Sequence, residues 1–124
     1  MKKVSEFLQN AIRLDVLAMQ RVPERYCYEP QGEPLVVFED SELGRICDLW
    51  MEIEPGEMMR CHNPEYGFRV HRRGGDLWSF SLSWACNSAV DLNERGRSLP
   101  AFDGESDAAR RLLIVLNDKV KSFE

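Results

Sequence analysis

Apolar residues recur at helical spacing near the start of the chain, at Val4, Phe7, Leu8, Ala11, Leu14 and Ala18. The spacing predicts a helix, broadened by Ile12, Val16 and Leu17 so that it packs on more than one neighbour. Pro23 would end it, because the residue before a proline is pushed out of helical geometry. Residues 23–34 hold Pro23, Pro30, Gly32 and Pro34, a density that predicts turns and extended backbone.

Four strand-like runs follow. Leu35–Phe38 is short and apolar. Ile46–Ile53 is mixed, with Asp48, Trp50 and Glu52 on one side if it is a strand, and Pro55-Gly56 turns after it. Phe68–Arg72 alternates, as does Leu77–Cys86, which puts Trp78, Phe80, Leu82, Trp84 and Cys86 on one face and Ser79, Ser81 and Ser83 on the other. Gly74-Gly75 between these last two runs predicts a hairpin. Residues 93–104 read as a polar loop. Ala109, Leu112, Leu113, Leu116, Val120 and Phe123 then form a helical stripe, with Asp103, Ser106 and Asp107 to cap its start and Lys119 and Lys121 near its end.

The order predicts a single α+β domain over residues 1–124. It has an N-terminal helix, an antiparallel meander of about four strands, and a C-terminal helix packed on one face of the sheet. Neither helix is placed as a crossover between parallel strands. The alternation leaves the other sheet face partly solvated.

Composition narrows the class. The 124 residues are 44% hydrophobic and 30% charged, which is ordinary for a globular chain and excludes disorder or coiled coil as the main architecture. The net charge of −5 argues against a general nucleic-acid or anionic-membrane surface. Cys27, Cys47, Cys61 and Cys86 are too widely spaced for a zinc knuckle or ribbon. No apolar run suits a signal peptide or a membrane span. The expectation is a cytoplasmic protein with four reduced thiols; the alternative is a secreted fragment, in which four cysteines allow three disulfide pairings.

The densest chemistry lies in Arg60-Cys61-His62-Asn63-Pro64-Glu65-Tyr66-Gly67-Phe68-Arg69, with a second cluster at Ser83–Asn87. Counting outward from the Gly-Gly turn sets residue 62 opposite residue 87, which brings Cys61, His62 and Cys86 together. Three readings compete. The cysteines are small buried hydrophobes with His62 capping a loop. They bind a metal such as zinc through Cys61, His62 and Cys86 with one further ligand. Or one is a nucleophilic thiol with His62 as base, a reading in which nothing selects Asn63 or Asn87 as orienting group, so no catalytic residue is assigned. The candidate loop site comprises Arg60, Cys61, His62, Tyr66, Arg69, Cys86 and Asn87. A phosphate or carboxylate module using Arg60, Arg69 and Arg72 is a further class.

Residues 61–69, residues 81–87 and Phe102–Leu113 together resemble a small uncharacterised bacterial domain. That pattern has a Cys-His-x-Pro-x-Tyr-Gly-x-Arg loop, a strand ending in Cys-Trp-x-Cys, matched here by the Trp-x-Cys-Asn of residues 84–87, and a Phe-Asp pair before a Leu-rich terminal helix. Ser83 departs from it, standing where the pattern has the first cysteine of a pair, and a two-cysteine metal or redox site would lose a ligand there. The resemblance implies fold and no activity.

Charge is segregated. Residues 39–57 carry Glu39, Asp40, Glu42, Asp48, Glu52, Glu54 and Glu57 against Arg45 alone, a local charge of −6. Residues 58–73 carry Arg60, Arg69, Arg72 and Arg73 against Glu65, a local charge of +3. Such an acidic block is either a solvated face or a surface that meets a basic protein partner or mimics nucleic acid, and clustered like charge speeds association. The expected function is a small acidic interaction protein, an immunity or inhibitor protein that binds one protein partner such as a toxin. It would bind through Glu39, Asp40, Glu42, Glu52, Glu54 and Glu57, with neither membrane nor nucleic acid as partner. The alternative is a metal-binding or thiol-using protein built on Cys61, His62 and Cys86.

Overall fold

A computed structural model describes residues 4–25, 27–93 and 97–123. The architecture is α+β. A short helix α1 (Val4–Phe7) leads into strands β1 (Ala11–Val22) and β2 (Cys27–Phe38), then helix α2 (Asp40–Met51). Strands β3 (Tyr66–Arg72), β4 (Leu77–Ser83), β5 (Ser88–Asp91) and β6 (Arg97–Leu99) follow, and helix α3 (Asp107–Ser122) closes the order. The six strands form one antiparallel sheet in the order β2-β1-β3-β4-β5-β6. The sheet is larger than the meander of about four strands expected from the pattern.

Two expectations are overturned. The predicted first helix survives only as α1. The chain turns at Asn10, which takes a positive φ of 58°, and continues as β1. β1 is a central strand with Leu14, Asp15, Val16 and Leu17 all buried, so its apolar positions run together instead of alternating and imitate a helical stripe. The predicted strand at residues 46–53 lies largely within α2. There Leu43, Ile46 and Trp50 fall on one buried face at helical spacing, and Asp40 and Glu42 sit in the first turn, where carboxylates favour the helix dipole.

The predicted turn-rich stretch at residues 23–34 contains most of β2. Pro30 and Pro34 are tolerated there because β2 is an edge strand, where a missing N–H costs no ladder bond. The β3–β4 hairpin forms as read, with Gly74 and Gly75 at φ +106° and +95°. Part of the predicted loop at residues 93–104 pairs as β6, while residues 94–96 lie outside the described residues.

The core lies between one sheet face and the helices. Val16, Val36, Phe38, Phe68, Val70, Phe80 and Leu82 meet α2 through Leu43, Ile46 and Trp50, and α3 through Ala109, Leu112 and Leu116. Phe7 stacks on Phe80 at 5.5 Å, which ties α1 to the same layer. Ser106 caps α3 by accepting from the Ala109 N–H, as its position predicted. Among the described residues, no helix is long and apolar enough to cross a membrane.

Candidate functional site

The segment from Ile53 to Glu65 forms a strap that leaves α2 and returns to β3 past the β4–β5 turn. It is fastened in steps. The Gly56 N–H donates to Ala101 O and the Asp103 N–H to Glu54 O, and Pro55 bridges Phe102. Asn87, at φ +53°, donates from Nδ2 to Glu57 O at 3.1 Å and accepts from the Gly104 N–H at 2.9 Å. Met59 N–H then donates to Cys86 O.

Beyond this point Cys61 and Cys86 are joined by a disulfide, with Cys27 and Cys47 free. The expectation of four reduced thiols is thereby corrected. Antiparallel pairing does bring the strap to the β4–β5 turn, as counting from Gly74-Gly75 implied, but the two sulfurs meet each other. In this oxidised form neither is a thiolate available to a metal or to an electrophile, and among the described residues no group of three or more His, Cys, Asp or Glu side chains could hold a metal ion.

His62 lies over the serine side of the sheet. Its Nδ1 is 2.6 Å from Ser88 Oγ and its Nε2 is 2.8 Å from Ser81 Oγ. Ser88 donates to the Cys61 carbonyl, so a neutral ring is satisfied with Nδ1–H donating to Ser88 and Nε2 accepting from Ser81. Burial pushes the ring's pKa down, which favours this neutral form. Ser81 and Ser88 are themselves buried, so the chain of bonds locks the strap and presents no exposed hydroxyl nucleophile. The serine face expected to be partly solvated is covered here.

The other loop residues scatter. Tyr66 points to the helix layer and donates to Asn117 Oδ1 at 2.6 Å. Arg60 is exposed on the strap. Arg72 donates to Gln9 O and lies over the Trp78 ring. Arg69 belongs to a cluster that the pattern did not reveal. Asp15, 1% exposed on the open sheet face, accepts from Arg13 Nε at 2.7 Å and His71 Nε2 at 2.8 Å, with Arg69 Nη1 at 3.5 Å. Burial by itself pushes the Asp15 carboxyl up, but the hydrogen bonds and charges of His71 and Arg13 outweigh it and leave its pKa below the ordinary value. Two-residue spacing of Arg13 and Asp15, and of Arg69 and His71, was the available signal, lost while residues 11–22 read as a helix.

The acidic residues divide into two groups at opposite ends of α2, about 18 Å apart for twelve residues of helix. At its start Glu42 is paired with Lys119 at 3.0 Å, and Glu39 bears on Arg13. Past its end Glu52, Glu54 and Glu57 are exposed. Beside this second group opens a cleft of about 380 Å³, walled by Val4, Trp50, Ile53, Pro100 and Phe102, with Met51 and Glu54 at its margin. Met51, Met58 and Met59 are exposed nearby in the chain. Comparison with protein-family models, curated proteins and solved structures found no match.

Proposed function

We propose that this is a small acidic interaction protein that binds one basic protein partner at the C-terminal end of α2, in the manner of an immunity or inhibitor protein. The observation that carries the reading is an apolar cleft that Glu54 lines, with the exposed carboxylates Glu52 and Glu57 within three residues of Glu54 along the chain. A central pocket that takes an apolar anchor, with charges on its rim, is how protein interfaces divide affinity from steering. Exposed methionines adapt to a partner's contours at little cost. Glu39, Asp40 and Glu42, at the far end of the helix, would act only through the long-range field. The reading includes a cytoplasmic setting, in which the Cys61–Cys86 bridge would open and close with the thiol pool.

The test begins with a partner captured from cells and purified. Reversing Glu52 and Glu54 to lysine should slow its association while changing dissociation much less. Raising salt from about 0.05 M to about 0.5 M should slow wild-type association as well, by shortening the screening length. An association rate indifferent to both changes would reduce the acidic rim to a solubilising face.

A second reading, a thiol-using protein, is favoured by the bridge itself, which joins an exposed Cys61 to a buried Cys86. Thiol–disulfide exchange with a small dithiol, abolished by Cys61→Ser, would support it.

A further inference from the structure

The open face of the sheet carries charge in an inverted arrangement. The anion, Asp15, is buried, and the cations that surround it keep their outer ends in solvent, with the side chains of Arg13, Arg69 and His71 41%, 33% and 30% exposed. We propose that Arg13, Arg69 and His71, held in place by Asp15, form a binding site for a single phosphate group, independent of the acidic rim on the helix side.

Register assembles the three. Arg13 lies opposite His71 and Asp15 opposite Arg69 on adjacent central strands, so all four side chains leave the same face within two residues of each other. Asp15 occupies only part of their capacity. It takes Nε of Arg13, Nε2 of His71 and one Nη of Arg69. A guanidinium has five N–H donors and an imidazole two ring nitrogens. Both terminal amino groups of Arg13, the second Nη of Arg69 and Nδ1 of His71 therefore remain, and no other described residue hydrogen-bonds them. Two guanidiniums against Asp15 alone leave one positive charge over, which Glu39, acting on Arg13 from the end of β2, offsets in part.

A buried ion cluster is a weak source of stability, since apolar side chains of similar volume often serve as well or better. What Asp15 does provide is orientation. Its two oxygens fix the planes and reach of long side chains that would otherwise lose rotamer freedom on binding. Guanidinium forks suit phosphate oxygens. The donors left over after Asp15 come from three separate side chains, more than the two oxygens of a further carboxylate would use, which favours a tetrahedral oxyanion. The site is compact and the chain's net charge is −5, which argues for one phosphate group and against a polyanion track. This set shares only Arg69 with the expected Arg60, Arg69 and Arg72, of which Arg60 is exposed on the strap and Arg72 lies over the Trp78 ring.

Titrating the full chain with inorganic phosphate, in chloride buffer at constant ionic strength, tests the site by amide chemical shifts. Expected is saturable binding tighter than about 10 mM, with the largest shifts at residues 13–15 and 69–71. Arg13→Gln and Arg69→Gln should each weaken it about tenfold, equivalent to about 1.4 kcal/mol. Arg60→Gln on the strap should leave it unchanged, and far-ultraviolet circular dichroism should show every variant folded. Methyl phosphate as a second probe separates a free ion from a monoester. Retained affinity indicates a monoester ligand, and its loss indicates the free ion. Absence of saturation, shifts elsewhere, indifference to Arg69→Gln, or equal binding of acetate would each overturn the proposal.

Discussion

His71 on β3 donates from Nε2 to Oδ2 of Asp15 on β1 at 2.8 Å, and this bond crosses the middle of a sheet face that holds no other buried carboxylate among the described residues. Burying a carboxylate is costly unless it is paired and hydrogen-bonded. Arg13 and His71 supply the pairing from both sides. Asp15→Asn should destabilise the fold at neutral pH by about 2 kcal/mol, the range for hydrogen bonds to a charged group, measured by urea denaturation.

The pH dependence of stability has two components with worked signs. Burial depresses the His62 pKa, so the fold prefers the neutral ring. Its contribution is complete above about pH 6.5 and is lost as pH falls toward the lower folded value. The Asp15 pKa is also depressed, so its contribution is complete above about pH 4 and is lost as pH falls further. The urea midpoint should therefore decline in two stages on acidification. His62→Gln should flatten the first stage and Asp15→Asn the second. A wild-type midpoint constant from pH 7 to pH 5 would contradict the first assignment.

Trp84 is 5% exposed, donates from Nε1 to Ala109 O at 2.8 Å and meets Phe102 edge-on at 5.9 Å. Trp84→Ala should cost about 3–5 kcal/mol through lost burial and the cavity left behind. A loss below about 1 kcal/mol in denaturant would place the ring in solvent.

Thiol titration in denaturant without reductant should find Cys27 and Cys47 reactive and, after reduction, all four cysteines. The bridge closes a loop of 25 residues, so Cys61→Ser should lower stability by about 3–4 kcal/mol on the chain-entropy account. Four reactive thiols before reduction would show that the bridge is open in the isolated protein.

Two glycines should respond in opposite directions. A Cβ on Gly104 would run into the Trp84 carbonyl oxygen, and Gly104→Ala should cost about 1–3 kcal/mol from overpacking. Gly44 lies within α2 with open space where a Cβ would go, and Gly44→Ala should stabilise by about 0.5–1 kcal/mol. Thermal melts of both variants check the pair.

Local chemistry sufficed for the elements whose signals are local. Gly74-Gly75 specified its hairpin because only a residue without a Cβ takes those φ values at no cost, and Ser106 with the Leu112–Leu116 stripe specified α3. Alternation from Trp78 to Leu82 also announced the core face of β4, since successive side chains of a strand point to opposite sides. The sequence alone determined the α+β class and the proximity of Cys61 to Cys86. Only the tertiary structure decided that residues 11–22 are a strand, because Leu14, Asp15, Val16 and Leu17 are buried in succession and the period of two is lost there. It also decided that the carboxylates divide between the two ends of α2, that Tyr66 and Arg69 part to opposite sides of the sheet, and that Asp15 gathers Arg13, Arg69 and His71. Each of these depends on which strand lies beside which, and that is a choice made by packing across the sheet, not by any residue's neighbours along the chain.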